Sequence, residues 1–318
     1  SSCSSRVINK MKILLTGANG MVGRNILAIA KDYQHVFLYP SSKELNLLNV
    51  DAIKRYMLQH QPDMVIHAAG IVGGIQANMA SPVKFLVDNM QMGLNVLTAS
   101  DDCNIGRFLN LSSSCMYPRD AINPLSENLI LKGELEPTNE GYALAKITST
   151  RLCEYICKEN STRLYKTIIP CNLYGRFDKF DPNNSHMIPA VIRKLDEASK
   201  ANKKEIDIWG DGKARREFMY AEDLAKFIFY AIDNFEKMPQ NLNVGLGTDF
   251  TINEYYQAVA NVVGYKGSFK HDLSKPVGMR QKLIDDKKLL EFGWSHITEL
   301  EAGIKKTYEF YLSENCND

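Results

Sequence analysis

A tyrosine and a lysine four positions apart, Tyr142 and Lys146, are residues whose types and spacing could do chemistry. On a helix this spacing places both side chains on one face. A free tyrosine has a pKa of about 10, and a nearby ammonium lowers that pKa by favouring the phenolate. Such a pair can move a proton at a carbonyl or alcohol oxygen during hydride transfer. Because this spacing is common and mostly accidental, the surrounding motifs must show whether the pair is catalytic.

Three serines and a cysteine form a second candidate group in residues 112–118, which read SSSCMYP. This stretch follows the apolar run 108–111, which is typical of a buried strand. Two interpretations remain open from the residues alone. The stretch is a turn with a small buried cysteine, or Cys115 is a reactive thiol at the end of a strand.

Glycines at regular intervals, Gly17, Gly20 and Gly23, follow the apolar run 11–16 and open a helical pattern. Glycine permits a tight turn and lets backbone N–H groups approach a pyrophosphate at the helix N-terminus. The context of a strand before and a helix after favours dinucleotide binding over a purely structural turn.

The tip of the second predicted strand indicates which dinucleotide would bind. An acid there would accept from the ribose 2′-hydroxyl of NAD, but this chain has Ser41, Ser42 and Lys43. Two hydroxyls and an ammonium can hold a 2′-phosphate through charge-assisted hydrogen bonds. The residues favour NADP(H). NAD(H) stays possible because no arginine is present, and a helix cap or solvated turn is the alternative.

The elements that would position these residues alternate along the chain. Strands are predicted at 11–16, 36–39, 64–68, 108–111, 165–169 and 206–209. Helices are predicted at 22–31, 50–59, 85–100, 142–159 and 222–234. Such alternation predicts βαβ units and a parallel sheet, here an α/β fold of the Rossmann-type, doubly wound kind.

The second half of the chain has a different character, because residues 175–185 are polar and rich in turn formers. We expect a Rossmann domain of residues 11–174 plus about 211–240. A smaller α/β substrate lobe would then comprise about 175–210 plus 241–318. Residues 1–10 read as a disordered lead without the apolar stretch of a signal peptide.

The composition excludes several classes of protein. The 318-residue chain has a formal net charge of +1, which gives no sign of a nucleic-acid or membrane partner. No apolar run approaches the roughly 20 residues that span a bilayer. The seven cysteines contain no CxxC pair, which disfavours zinc and a disulfide scaffold and favours a reducing cytoplasm.

The order of these motifs resembles the extended short-chain dehydrogenases/reductases. The glycine turn, His67-Ala68-Ala69-Gly70, the serine cluster and the Tyr142/Lys146 pair follow one another as in that family. Further stretches resemble the GDP-L-fucose synthases, which are NADPH-dependent 3,5-epimerase/4-reductases of GDP-4-keto-6-deoxy-mannose. These stretches are 72–75, 113–118, 136–140, 172–175, 184–189, 209–212 and 216–218, and the similarity covers nearly the whole chain.

The resemblance implies a role for each candidate catalytic residue. Ser113, Tyr142 and Lys146 would reduce C4, with Tyr142 as the acid and Lys146 lowering its pKa. Cys115 and His186 would epimerise C3 and C5, since a thiolate and an imidazolium can exchange protons near neutral pH. The alternative for His186 alone is a loop histidine at a helix cap.

The resemblance also implies binding residues and an assembly. The expected cofactor-binding set is Gly17, Asn19, Gly20, Met21, Val22, Gly23, Ser41, Ser42, Lys43, Ala68, Ala69, Gly70, Tyr142, Lys146, Pro170 and Leu173. The expected set for the GDP-sugar is Ser114, Asn172, His186, Lys194, Trp209, Arg216 and Lys282. Relatives commonly dimerise through the helix of the tyrosine and lysine, which predicts a homodimer.

The sequence departs from the bacterial pattern at several positions, with Asn19 and Ser41 where many relatives have arginine. Gly141 and Gln281 also differ from frequent residues. These departures leave the exact sugar open, so a C4 reductase of another GDP-sugar such as a heptose is an alternative. A non-catalytic regulator that binds NAD(P) or nucleotide sugar is a third.

Overall fold

The computed structural model describes residues 9–71, 73 and 75–315. Its largest unit is a six-stranded sheet in which every neighbouring pair is parallel. The strands are β1 (Lys12–Thr16), β2 (Val36–Leu38), β3 (Met64–His67), β4 (Arg107–Leu111), β5 (Leu164–Pro170) and β10 (Asn241–Val244), in the order β10-β5-β4-β3-β1-β2.

Helices cover both faces of this sheet. They are α1 (Met21–Ile29), α2 (Val50–His60), α3 (Ile75–Ala80), α4 (Pro82–Asp102), α5 (Glu140–Glu159) and α7 (Ala221–Asp233). Successive strand side chains point to opposite faces, so Ile13 and Leu15 join the core beneath α1 and α7, while Leu14 joins the core beneath α2, α4 and α5. The predicted Rossmann-type, doubly wound fold is confirmed.

A second core lies between three further helices and three small sheets. The helices are α6 (Met187–Lys200), α8 (Ile252–Val263) and α10 (Leu300–Asn315), whereas α9 (Lys287–Phe292) buries Leu289 in the core of the large sheet. The strands are β6 (Asn172–Tyr174), β7 (Glu205–Trp209), β8 (Arg215–Arg216), β9 (Phe218–Tyr220), β11 (Phe250–Thr251), β12 (Ser268–Asp272) and β13 (Gln281–Lys282). Tyr174, Tyr220 and Tyr255 fill the centre of this core.

The predicted lobe boundaries are wrong for several short strands. β8 and β9, expected in the Rossmann domain at about 211–240, pair outside the large sheet, whereas β10, expected in the smaller lobe from 241, belongs to it. β10 pairs in parallel with β5, with Leu242 opposite Ile168 and Val244 opposite Pro170, and so completes the large sheet. Leu242 and Val244 are fully buried in its core. Asn243 points to the opposite face and is also fully buried, so both faces of β10 are covered, as is usual for a strand of a parallel sheet.

Parts of two predictions fall on residues that the structure does not describe. The predicted disordered lead falls mainly on residues 1–8, and two residues of the 72–75 motif, 72 and 74, also lie outside the described residues. In the part of the chain that the structure describes, no helix combines the length and apolar character needed to cross a membrane. Within the same residues, no cluster of His, Cys, Asp or Glu could hold a metal ion.

Candidate active site

Most of the predicted site residues follow the carboxyl ends of the parallel strands. Gly17 follows β1, Ala68 follows β3, Ser113 follows β4 and Pro170 ends β5. Because these strand ends meet at one edge of the sheet, the fold brings the predicted cofactor and catalytic residues together.

The glycine turn is shaped so that backbone can approach a ligand. Gly17 has φ +76°, and a Cβ there would lie 2.5 Å from the Ala69 nitrogen. A Cβ on Gly23 would lie 2.2 Å from the Gly17 oxygen. Gly20 is the N-cap of α1 and no side chain caps that helix. Within the described part of the chain, the first N–H groups of α1 therefore have no capping side chain, which fits a dinucleotide pyrophosphate.

A buried threonine holds the neighbouring strand end against this turn. Thr16 Oγ1 accepts hydrogen bonds from the nitrogens of Ala68 at 3.1 Å and Ala69 at 3.2 Å, and lies 2.7 Å from His67 Nδ1. Burial, and secondly the Lys146 ammonium, lower the pKa of His67 to about 3. The imidazole is therefore neutral. Because Thr16 Oγ1 already accepts from two N–H groups, the fitting tautomer carries its proton on Nε2 and lets Nδ1 accept a hydrogen bond from the Thr16 hydroxyl, a structural role beneath the site.

The tip of the second strand forms a hydrogen-bonded turn, which is the solvated turn that the sequence left open, and α2 begins only at Val50. Ser41 Oγ accepts from the Glu44 nitrogen at 3.3 Å, while Glu44 Oε1 accepts from the Ser41 nitrogen at 3.2 Å. Ser42 and Lys43 are exposed beside it. As an acceptor, the Ser41 hydroxyl still has its own proton to donate, so the turn is compatible with a phosphate at this tip.

The other predicted cofactor residues lie on the same edge. Asn19 is exposed in the glycine turn, and Met21 and Val22 are half-buried at the start of α1. Pro170 is buried at the end of β5, and Leu173 is half-buried in β6.

Helix α5 presses Tyr142 and Lys146 against the end of β4. Lys146 Nζ donates to the Leu111 carbonyl oxygen at 3.1 Å and lies 5.4 Å from the centroid of the Tyr142 ring. Ser113 caps a 3₁₀ turn over Ser114–Met116, and its Oγ accepts from the Cys115 nitrogen at 3.3 Å. The predicted reductase residues and Cys115 thus share one edge of the sheet.

The expectation that Lys146 lowers the pKa of Tyr142 is not met in this structure. Burial raises the pKa of Tyr142, and the nearby Cys115 raises it further. Burial also lowers the pKa of Lys146. The phenol therefore rests fully protonated, which is the state that a proton donor to a newly formed alkoxide needs.

The predicted epimerase pair does not have the expected protonation of a thiolate and an imidazolium. Burial raises the pKa of Cys115, although the Lys282 ammonium partly offsets the effect. His186 is the N-cap of α6. Part of the residue reaches solvent, but burial of its ring, and secondly the charge of Lys179, lower its pKa. The resting pair is thus a thiol and a neutral imidazole, which carry the same number of protons as a thiolate and an imidazolium.

The structure does not join this pair directly. The groups that act on Cys115 are Ser113, Lys146 and Lys282, whereas the charge acting on His186 is that of Lys179. Among the described residues, the hydrogen bonds and charges around Cys115 therefore connect it with the reductase set rather than with His186.

The predicted substrate residues form two groups. In the first, Arg216 of β8 and Lys282 of β13 face each other in parallel register. In the second, Lys194 Nζ donates to the Asp207 oxygen at 2.8 Å, two residues before Trp209, whose side chain is 60% exposed.

Apart from His186, described above, the other two predicted substrate residues differ in accessibility. Asn172 is half-buried at the start of β6, beyond the end of β5. Ser114 is 2% exposed inside the 3₁₀ turn. A direct contact between the Ser114 side chain and a substrate is thus disfavoured, while Asn172 stays a candidate.

Comparison with known proteins identifies the family. The model of the NAD dependent epimerase/dehydratase family matches residues 13–245, which include the glycine turn, the serine cluster and the Tyr142/Lys146 pair. The chain belongs to this family. It is an NAD(P)-dependent enzyme of the extended short-chain dehydrogenase/reductase type.

Relatives within the NAD dependent epimerase/dehydratase family match over nearly the full length. The chain is 65% identical over 308 residues to GDP-L-colitose synthase of Yersinia pseudotuberculosis, covering 97% of this chain and 100% of that protein. It is 49% identical to GDP-L-fucose synthase of Azorhizobium caulinodans, covering 96% and 97%. The resemblance to the GDP-L-fucose synthases is confirmed.

Solved structures of the epimerase/dehydratase family have the same fold. A GDP-mannoheptose C4 reductase from Campylobacter jejuni with NADP bound has a TM-score of 0.87 at 30% identity, covering 95% of this chain and 98% of that one. The full-length match includes the smaller lobe as well as the large sheet.

One residue that the sequence analysis missed supports the cofactor edge in this family member. Asn89 of α4 is 8% exposed, and its Oδ1 accepts from the Ile71 nitrogen at 2.7 Å while its Nδ2 donates to the Ile71 oxygen at 3.1 Å. A Cβ on Gly70 would lie 3.3 Å from Asn89 Oδ1. The sequence did contain a signal for Asn89, because it is an amide on the apolar face of the predicted helix 85–100.

Proposed function

We propose that this chain catalyses the NADPH-dependent reduction of a GDP-4-keto-6-deoxyhexose at C4, together with epimerisation beside the carbonyl. The observation that carries the proposal is the shared position of Ser113, Tyr142 and Lys146 with Cys115 at one edge of the sheet. The full-length similarity to GDP-L-fucose and GDP-L-colitose synthases supports it.

For the reduction, Tyr142 is the proton donor to the C4 oxygen and Ser113 donates a hydrogen bond to the same oxygen. Lys146 orients the tyrosine from its anchor on Leu111. NADPH supplies the hydride when bound, and the free N–H groups at the start of α1 are its proposed pyrophosphate site. The NADP bound to the Campylobacter jejuni reductase supports NADP(H) over NAD(H).

For the epimerisation, Cys115 and His186 share the work. The C4 carbonyl acidifies hydrogens on its neighbouring carbons, so one group removes a proton and the other returns one on the opposite face. The resting thiol and imidazole already hold one transferable proton between them. Entry of the substrate between them explains why the two side chains need no direct contact.

Two sugars are candidates. Colitose is fucose without its 3-hydroxyl, so its precursor has no stereocentre at C3 and only C5 inverts. The 65% identity to the GDP-L-colitose synthase favours the 3,6-dideoxy sugar, and the 49% identity to the GDP-L-fucose synthase supports the 6-deoxy sugar. We propose the 3,6-dideoxy sugar as the preferred substrate.

The test is turnover of both GDP-4-keto sugars with NADPH in deuterated water. We expect loss of absorbance at 340 nm with both, a higher kcat/KM for the 3-deoxy substrate, and deuterium at C5 of the product. A higher kcat/KM for the 3-hydroxy sugar would reverse the substrate assignment. Absence of turnover with both, or turnover only of a GDP-4-keto-heptose without deuterium uptake, would refute the proposed function.

We also propose a cytoplasmic homodimer formed through α4 and α5, which pack against each other. Val83 and Val87 on α4 and Tyr155 on α5 are 73%, 51% and 59% exposed, an apolar face that a second copy would cover. The five cysteines of the described residues are free, which supports a reducing compartment. Sedimentation equilibrium should give twice the chain mass, and a monomer for Val87→Asp.

A further inference from the structure

A buried glutamate in the smaller lobe has no role in the chemistry proposed above. Glu217 is 2% exposed and lies between β8 and β9. Its Oε2 accepts from the nitrogens of Leu246 at 2.7 Å and Gly247 at 2.9 Å, and its Oε1 accepts from the Ile284 nitrogen at 3.1 Å. One carboxylate thus ties together three segments that are distant in sequence.

The surrounding backbone is shaped around this carboxylate. A Cβ on Gly245 would lie 2.7 Å from Glu217 Oε2 and 2.7 Å from the Ile284 side chain. Gly247 has φ +68°, and a Cβ there would lie 2.3 Å from the Asp286 carboxylate. Glycine at both positions lets the loop close on the glutamate.

The segments that Glu217 joins carry the two cations of the predicted diphosphate site. Arg216 precedes it directly, and Lys282, opposite Arg216 in the β8–β13 register, lies two residues before Ile284. From the other side, the Leu125 nitrogen donates to the Leu283 oxygen at 2.8 Å. The backbone around Lys282 is therefore fixed on both sides.

The negative charge of Glu217 also has an electrostatic consequence. Burial lowers the pKa of Lys282 and Arg216 lowers it further, whereas Cys115, Cys171 and Glu217 raise it. An ionised Glu217 thus helps to keep Lys282 an ammonium. A neutral amide of the same shape would not.

The pKa of Glu217 itself lies in a pH range in which the effect of its charge on Lys282 can be measured. Burial, with a small contribution from Asp286, raises the pKa of Glu217 to about 7, although the three backbone N–H groups oppose the rise. Its charge is therefore largely absent at pH 6 and present at pH 8. Measurements at pH 6 and pH 8 therefore distinguish the effect of the charge of Glu217 from the effect of its shape.

We propose that Glu217 is a positioning residue of this site, which holds Arg216 and Lys282 in place and supports the charge of Lys282 for a nucleoside diphosphate. The inference rests on the proposed GDP-sugar substrate. Glu217 touches no reacting atom, and it acts through the two cations beside it.

The experiment compares Glu217→Gln with Asp223→Asn. Asp223 is a matched control because it is also fully buried and its carboxylate accepts from the nitrogens of Ile297 at 2.9 Å and Thr298 at 2.7 Å, without contact to either cation. Both variants should lower the unfolding temperature. GDP binding is measured by calorimetry at pH 6 and pH 8, and NADPH binding is measured as a check on the folded state.

We expect Glu217→Gln to weaken GDP binding roughly tenfold or more at pH 8, less at pH 6, and to raise KM for the GDP-sugar more than it lowers kcat. Asp223→Asn should leave the GDP affinity unchanged. Equal GDP affinity in wild type and Glu217→Gln, or an equal loss in both variants, would overturn the inference.

A second variant and a separate readout keep the test decisive. If Glu217→Gln does not fold, Glu217→Asp replaces it. This variant retains the charge but shortens the side chain, so it should still weaken GDP binding at pH 8. A folded Glu217→Asp with wild-type GDP affinity would contradict the positioning role. Since GDP binding needs no turnover, failure of the proposed reaction is recognised separately, by inactivity of the wild type on keto sugars.

Discussion

The cofactor edge of the large sheet and the cation pair of the smaller lobe are built in opposite ways. At the cofactor edge, Gly17, Ser113 and Pro170 lie within or a few positions after a buried strand, and one regular helix, α5, brings Tyr142 and Lys146 to the same place. Arg216 and Lys282 instead lie on two-residue strands that are far apart in sequence and are held by the buried Glu217. The first region depends on backbone geometry, and the second depends on a few long-range polar contacts.

The largest expected effect concerns the cofactor edge. Tyr142→Phe removes the proton donor and should lower kcat for NADPH oxidation by roughly 10²–10⁴-fold, with NADPH affinity nearly unchanged. Tyr155→Phe on the same helix is the control, since it removes only a hydroxyl 13 residues away and keeps the ring on the proposed dimer face, so it should keep wild-type activity. Stopped-flow absorbance at 340 nm measures both. A Tyr142→Phe enzyme with more than a tenth of the wild-type kcat would exclude the assigned role.

Cys115→Ser separates the two halves of the reaction. A serine hydroxyl is far less acidic than a thiol, so deuterium incorporation at C5 should fall by about 10²-fold or more. Hydride transfer to the unepimerised ketone should persist. Cys103→Ser, a change at a half-buried thiol at the end of α4, should alter neither rate. If Cys115→Ser exchanges deuterium at the wild-type rate, the thiol has no part in epimerisation.

The contrast between the two regions explains what could be predicted from the sequence. The Rossmann-type fold, five of the six strands of the large sheet and the edge carrying Gly17, Ser113 and Tyr142 followed from periodicity and motif order. β10 was assigned to the wrong lobe because a four-residue run gives little signal, and only the unpaired side of β5 determines its place.

The electrostatics of the site could not be predicted in the same way. The sequence placed Lys146 beside Tyr142, but the direction of the Tyr142 pKa depends on burial, which spacing does not give. The reversed resting protons of Cys115 and His186 have the same cause. Glu217 was visible only as part of a motif, because its three backbone donors come from other parts of the chain.

Gly17→Ala tests whether backbone geometry is what the cofactor edge requires. Alanine at φ +76° is strained, and its Cβ would also lie 2.5 Å from the Ala69 nitrogen. Gly264→Ala is the matched control, because Gly264 has φ +84° with open space around it. Both should lose about 1 kcal/mol or more of stability from strain, but only Gly17→Ala should weaken NADPH binding, by roughly tenfold or more. Fluorescence titration with NADPH measures this, and equal affinities in the two variants would show that the clash is relieved without cost to the cofactor.

The two regions should also differ in how their stability depends on pH, with no effect on the chemistry itself. The pKa of His67 is lowered to about 3, so its contribution is present above about pH 6.5 and is lost as the pH falls. The pKa of Glu217 is raised to about 7, so its contribution is present below about pH 4.5 and is lost as the pH rises through 7. Between pH 7 and pH 5, each contribution should change by up to about 2 kcal/mol, in opposite directions.

Urea unfolding of wild type, His67→Asn and Glu217→Gln at pH 5 and pH 7 measures these two dependences. The deficit of His67→Asn relative to wild type should shrink at pH 5, because protonation of the unfolded chain then removes the advantage of a neutral histidine. The deficit of Glu217→Gln should shrink at pH 7, because ionising the buried carboxyl then costs free energy in the wild type. If both deficits change in the same direction, the two buried groups do not titrate as their surroundings require, and the electrostatic difference between the sheet edge and the smaller lobe is wrong.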